Sequence, residues 1–431
     1  MTVDSASFAT RAVHAGRGPQ HAPSRATPIY LTAGFEFDDF DHAADHFGTG
    51  AGFGYTRTGN PTVRAVEQKL AALESGADAV LLASGQAAVV TAFLTVAGAG
   101  DHIVSSAHIY EGTRGLLVDN LARLGIQTTF VDDISDPDAW RRAIRPNTRA
   151  LFAESIANAR NDVLDVAAVS AVGDEAALPL IVDNTLATPY LLRPLEHGAA
   201  VVVHSASKFL AGHGSVLGGV IVDDGRFDAA AAGHNAPHLV LPGRGGLASV
   251  AARHGGNARI AYAREAVAPR FGASPSPLNA FLIGQGAETL ALRVQRQSAN
   301  ALEVARWLAH HDAVECVDYV GLESHPDHRT AVRYLDGGFG SIFTVTLHGG
   351  IDAARSFVEN VRVFTHMTHI GDVRSLVLHP ATTSHALRTE EERERLGVHP
   401  GTLRLSIGIE DPADLIADLS RVLTRVGERV A

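Results

Sequence analysis

Lys208 is one of only two lysines in this 431-residue chain; Lys69 is the other, and every further residue of that charge class is arginine. An ammonium can lose its proton and attack a carbonyl, which a guanidinium effectively cannot. Lys208 sits in VVVHSASKFLAGHG, directly after a β-branched run. Asp183 ends a second apolar run, LPLIVD, and Ser84-Gly85-Gln86 follows a third, ADAVLLA, just where a helical pattern opens. Ser205 and Ser207 flank the lysine. Together these residues offer an amine for an imine, an acid to keep a ring nitrogen protonated, and hydroxyls with helix-opening amides for a dianionic phosphate. That inventory is what pyridoxal 5′-phosphate (PLP) asks of a protein. Each part alone is commonplace, since an Asp or Ser at a strand end is more often structural. Their recurrence at successive strand ends of one sheet is not.

The elements that must position these groups follow from periodicity. Between residues 60 and 225, the short apolar runs ADAVLLA, DHIVSS, TRALFAE, LPLIVDN and AAVVVHS alternate with helical stretches such as GQAAVVTAFLTVA and GTRGLLVDNLARLG. Such alternation predicts an α/β fold whose mostly parallel sheet is covered on both faces. In that arrangement the ligand lies beyond the carboxyl ends of the strands, where Ser84-Gly85, Glu154, Asp183-Asn184 and Ser205–Lys208 should converge. Lys69 falls off the apolar stripe Val63, Val66, Leu70, Leu73 and is expected in solvent. The long helical pattern LALRVQRQSANALEVARWLAHH and the runs FGSIFTVTL, SLVLHPATT and LRLSIGIED predict a smaller C-terminal α+β domain. The expected division is an arm over 1–59 packing on a neighbouring subunit, a cofactor-binding domain over 60–275, and a C-terminal domain over 276–431. Residues 224–275 carry a Gly/Ala/His-rich stretch without a clear pattern.

Composition narrows the function classes. With 46% hydrophobic and 19% charged residues the chain can fill cores of its own, which argues against disorder. A net charge of −11 offers no basic face for nucleic acid. No apolar run reaches the length of a membrane span, and the N-terminus lacks the order of a secretory signal. Cys316 is the sole cysteine, so no intrachain disulfide can form; it is expected as a small buried residue, and the chain as cytoplasmic. GTGAGFG lacks dinucleotide-fingerprint spacing, no G-x-S-x-G elbow exists, and neither HPDH nor HMTH forms a zinc motif, so no metal is expected.

Seven motifs in order along the chain complete the reading: GYTRTGNPT (54–62), LASGQAA (82–88), ESIAN (154–158), VDNTLATPY (182–190), HSASKFLAGHG (204–214), SLVLHPATTSH (375–385) and LRLSIGIED (403–411). With them the chain resembles the Cys/Met-metabolism family of PLP enzymes, which holds cystathionine γ-synthase, the γ-lyases and O-acetylhomoserine sulfhydrylase. HIGD (369–372) and EEERERLGVHPGTLRLSIGIED look most like the sulfhydrylase branch. The resemblance implies the PLP-dependent aspartate-aminotransferase-like fold (fold type I). It implies that Lys208 carries the cofactor and then moves protons, that Asp183 pairs with the pyridine nitrogen, and that Tyr110 stacks on the ring and serves acid–base chemistry. Ser84, Gly85, Gln86, Ser205 and Ser207 would hold the phosphate, and Asn158 would meet the ring hydroxyl. Tyr55 and Arg57 would reach the site from a partner subunit, which implies a dimer as active unit and a homotetramer overall. Arg404, with Ser375 and Tyr55, would grip the substrate. The implied reaction is γ-replacement on O-acetyl-L-homoserine, or a similar O-acylated homoserine, by sulfide or a thiol.

Three departures bear on the nucleophile. Ala159 follows Asn158 where the family usually has proline, Glu111 and Arg114 follow Tyr110 where small neutral residues are usual, and 224–275 does not match. A γ- or β-lyase ending in a 2-oxo acid, or replacement by a non-sulfur nucleophile, is the alternative on the same cofactor.

Overall fold

The computed structural model describes residues 6–16, 24–158 and 160–430. Seven strands build the larger sheet: β1 (Asp78–Leu82), β2 (His102–Ser106), β3 (Gln127–Val131), β4 (Thr148–Glu154), β5 (Leu180–Asp183), β6 (Val201–His204) and β7 (Gly219–Asp223). Their order is β1-β7-β6-β5-β4-β2-β3. Only β7 runs antiparallel to its neighbours; the remaining pairs are parallel.

Alternate residues of each strand enter different cores. Val182, Val202, Val222 and Leu151 join one apolar cluster, whereas Ile181, Val203, Ile221 and Phe152 join another on the opposite face. A period of two with both faces apolar demands helices on both sides. Helix Pro61–Leu73 supplies one cover and helix Gly85–Val96 the other. Each starts on a side-chain cap: Asn60 accepts from the Thr62 amide and Ser84 from the Ala87 amide.

Five further strands form a second sheet: β8 (Val314–Asp318), β9 (Ile342–Leu347), β10 (Thr365–His366), β11 (Leu376–Leu378) and β12 (Thr402–Ser406). The order is β10-β11-β12-β9-β8, antiparallel except for β10 with β11. Helices Leu290–Leu308, Gly350–Asn360 and Pro412–Val430 cover it. Leu415, Leu419, Val422 and Leu423 recur at helical spacing and are fully buried, each worth roughly 1.5–3 kcal/mol.

The structure corrects several expectations. β3 and β7 are strands the alternation does not reveal: QTTFV is an edge strand dominated by polar residues, and β7 turns back after the 205–218 loop without an intervening helix. Residues 1–59 include two helices, Phe8–His14 and Phe40–Thr49. Most of 229–271 is short helical turns. Lys69 is 8% exposed and pairs with Glu288 at 2.9 Å, since the helix is covered on a second side by Pro277–Glu288. Cys316 is exposed, because β8 is an edge strand bonded only to β9.

Candidate active site

The carboxyl ends of β1, β4, β5 and β6 open on one cleft of about 480 Å³. Ser84, Gly85, Gln86, Tyr110, Asn158, Asp183, Ser205, Ser207, Lys208 and Arg404 all line it, joining motifs from six segments of chain.

Lys208 lies on the turn after β6, its amide bonded to the Ser205 carbonyl at 3.1 Å. Burial, reinforced by the Arg404 charge, lowers its amine to about 8. The free base is therefore accessible near neutral pH. Nζ lies 3.1 Å from Nδ1 of His369. Burial and the Lys208 charge push that imidazole down to about 4, so it stays neutral. Nε2 of His369 is buried without a partner.

Asp183 and Glu154 are register partners on β5 and β4. Burial raises both carboxyls, Glu154 to about 8 with Asp183 as the second cause. Asp183 accepts from the amide and hydroxyl of Thr185 at 3.0 and 2.5 Å, and nearby His204, itself 2.5 Å from buried Glu74, favours its ionised form. Glu154 accepts from the backbone amides of Tyr110 (2.6 Å) and Asn158 (3.1 Å). It thereby fixes two loops beside the cleft.

Helix Gly85–Val96 presents its first turn to the same cleft. Among the described residues, the Gly85 and Gln86 amides make no hydrogen bond. A Cβ on Gly85 would lie 2.7 Å from Cβ of Ser205, so only glycine leaves room between amides and serine. Ser207 exchanges hydrogen bonds with Gly218 (3.2 and 3.0 Å) while still lining the cleft. Orphan amides at a helix N-terminus beside hydroxyls suit a dianionic phosphate. Asp183 and Lys208, lining the same cleft, would supply the acid and the amine that the ring and aldehyde need. The residues present fit PLP.

Arg404, on β12, is 6% exposed. Its guanidinium meets only neutral acceptors: Asn158 Oδ1 and the Thr368 carbonyl at 3.3 Å, and the His369 carbonyl at 3.5 Å. No carboxylate among the described residues pairs with it, and burial lowers it to about 10. A buried, uncompensated fork of donors invites a carboxylate from outside.

Three expected site residues lie elsewhere. Ser375 does not line the cleft: its hydroxyl donates to Glu410 at 2.9 Å and accepts from the Gly408 amide at 2.9 Å, fully buried behind the sheet. Its hydroxyl is thus engaged by Glu410 and Gly408. Tyr55 is half exposed, and Arg57 stacks over it at 5.5 Å while donating to the Pro269 carbonyl. Within one chain neither reaches the cleft. Ala159 lies outside the described residues. His369, Glu154 as a loop anchor, and Thr383 and Ser384 at the rim are site features that no local pattern announces.

No helix of the described residues is long and apolar enough to cross a membrane. The family model described as Cys/Met metabolism PLP-dependent enzyme matches residues 9–424. O-acetyl-L-homoserine sulfhydrylase of Corynebacterium glutamicum is 43% identical, over 96% of each chain. Homocysteine synthase of Schizosaccharomyces pombe is 40% identical, over 98% of this chain and 99% of that one. A solved O-acetylhomoserine (thiol)-lyase of Campylobacter jejuni, carrying a pyridoxyl-lysine monophosphate, superposes with TM-score 0.92 at 33% identity, over 97% and 99% of the two chains. The family match spans nearly the whole chain, and the chain belongs to the Cys/Met-metabolism PLP-dependent enzymes.

Proposed function

We propose that this enzyme catalyses γ-replacement on O-acetyl-L-homoserine, with sulfide or a small thiol as nucleophile. The Cγ–O bond breaks with its electron pair leaving on acetate, and a Cγ–S bond forms. Sulfide gives homocysteine; methanethiol gives methionine. The observation that carries the reading is Arg404, a buried guanidinium without a carboxylate, in the same cleft as a lysine amine lowered to about 8. The names of the similar proteins support the substrate.

Bound PLP supplies an electron sink that makes the substrate Cα proton acidic. Around it the chain's residues divide the work. Arg404 grips the substrate carboxylate in a fork, with Asn158 steadying the guanidinium. Lys208, once free, takes the proton from Cα as a neutral amine and returns it later. Asp183 as carboxylate holds the ring nitrogen protonated. Tyr110, positioned through its amide by Glu154, would cover the ring face. Gly85, Gln86, Ser205 and Ser207 hold the phosphate end.

The active unit is a dimer, further paired to a homotetramer, in which Tyr55 and Arg57 of one chain complete the neighbour's site; the exposed Tyr55 supports this. Residues 1–59 form the arm toward that neighbour, 60–275 the cofactor domain and 276–431 the C-terminal domain. The exposed free thiol of Cys316 suits a reducing cytoplasm. The test is incubation of the purified enzyme with O-acetyl-L-homoserine and sulfide, methanethiol, cysteine or a carbon acid. Acetate release that depends on sulfide or a small thiol is expected. Release of ammonia and a 2-oxo acid without any nucleophile would assign elimination instead.

A further inference from the structure

Glu111, directly after Tyr110, holds Arg388 in a bidentate ion pair: Nη2 lies 2.9 Å from both carboxylate oxygens and Nε 3.1 Å from Oε2. Both side chains are largely shielded, at 24% and 15% exposure. Such forked, partly buried pairs are stronger and more directional than surface ones. Arg388 belongs to the segment between β11 and β12, and Thr383 and Ser384 of that segment line the active-site cleft.

Little else holds the segment down. No residue from 381 to 389 is buried, and Leu387 is fully exposed. Its other hydrogen bonds are local: Thr383 to the Pro380 and His379 carbonyls, Arg388 to the His385 carbonyl, Thr389 with Glu392 in a capping box. Among the described residues, the hydrogen bonds and ion pairs that carry residues 381–389 to another part of the fold converge on Glu111, with His385 adding a weaker approach at 3.8 Å; the helix that follows is tied separately, Arg160 donating to the Arg395 carbonyl at 3.1 Å. Residues 381–389 are therefore fastened through the residue that follows Tyr110.

We infer that the Glu111–Arg388 pair is a specificity-determining clasp: it seats residues 383–388 against the rim of the cleft and so limits the second substrate to sulfide and short thiols. The inference rests on the γ-replacement reading and deepens it. Glutamate at 111 does not line the cleft; it acts through the segment that does.

The experiment compares methanethiol with 2-phenylethanethiol as nucleophile on O-acetyl-L-homoserine, in wild type, Glu111→Gln and the charge-swapped Glu111→Arg/Arg388→Glu. Glu111→Gln should shift the ratio of kcat/KM toward the large thiol by roughly tenfold, the scale on which pocket size discriminates. The swap should return it toward wild type. Tryptic cleavage after Arg388 should be faster in Glu111→Gln than in wild type, because an unfastened exposed loop is the preferred site of nicking. If Glu111→Gln does not fold, Arg388→Gln opens the same clasp for the ratio measurement. An unchanged ratio, an equal fall for both thiols, or a gain the swap leaves in place overturns the inference. Wild type that consumes no O-acetyl-L-homoserine sinks the parent reading instead, and the cleavage rates still decide whether the pair fastens the segment.

Discussion

Nδ1 of His369 and Nζ of Lys208 lie 3.1 Å apart across 161 residues of sequence. Between about pH 4 and pH 8 the imidazole, lowered to about 4, is neutral while the amine, lowered to about 8, still carries its proton. Nδ1 therefore accepts from the ammonium and favours its charged form, against burial and Arg404, which disfavour it. In the full chain stripped of cofactor, amine-selective labelling read by peptide mass spectrometry should titrate Lys208 near 8. Below that midpoint the labelling rate falls about tenfold per pH unit. Arg404→Gln removes an opposing cation and should move the midpoint up. His369→Leu removes the acceptor and should move it down, while His369→Asn keeps an acceptor and should change it least. Lys69, held by Glu288, provides the reference peptide. A Lys208 midpoint at the ordinary 10.5 would falsify the buried amine.

Glu154 sits beside Asp183 with its carboxyl raised from 4.5 to about 8 by burial and by that neighbour. A carboxyl raised on folding binds its proton more tightly in the native state. Its contribution is complete below about 4.5 and is lost as pH rises through about 8. Denaturation of the cofactor-free protein should show stability declining across that window, and Glu154→Gln should flatten the decline. The same change puts an amide where two backbone donors need acceptors, so it should cost about 1–3 kcal/mol at acidic pH. A slope equal to wild type would show that Glu154 is not the group responsible.

What is legible in the sequence follows how local each signal is. Lys208, Asp183 and Ser84–Gln86 each end an apolar run, and parallel strands bring those ends together without long-range knowledge. Glu154 is visible as a polar residue leaving β4, but its partnership with Asp183 is a matter of register. His369 meets Lys208 only because the chain ahead of β11 crosses the turn after β6, and no spacing encodes that. Arg404 is placed by resemblance rather than pattern, since 246 residues separate it from Asn158. Ser375 is likewise named by resemblance: standing just before β11 says nothing about which way its hydroxyl turns, and in the fold it meets Glu410. Lys69 reads as solvent-facing from one helix, yet a second helix covers it with Glu288.

Gly85 offers a test of the phosphate cradle apart from chemistry. Gly85→Ala places a methyl 2.7 Å from Cβ of Ser205, and backbone at a helix start cannot give way cheaply. Equilibrium titration of the cofactor-free protein with PLP, followed by absorbance, should show affinity weakened by an order of magnitude or more, as about 1.4 kcal/mol per tenfold implies. Ser205→Gly removes both the Cβ and the hydroxyl that the new methyl meets, and the double variant should recover part of the loss. Equal affinity in Gly85→Ala and wild type would place the phosphate elsewhere.

Tyr55 and Arg57 stand outside the cleft of their own chain, Tyr55 half exposed with the guanidinium stacked on it at 5.5 Å. If they complete a neighbour's site, inactive variants should rescue one another. Lys208→Ala lacks the amine but keeps a functional Arg57; Arg57→Ala has the reverse defect. In a two-fold dimer the hybrid holds one site built from both intact halves and one with both defects. Unfolding and refolding an equal mixture should therefore restore about a quarter of wild-type activity, since half the dimers are hybrids with one good site each. Each variant refolded alone should stay inactive. A mixture no more active than its parts would mean that Arg57 serves its own chain, and the neighbour's contribution would have to be abandoned.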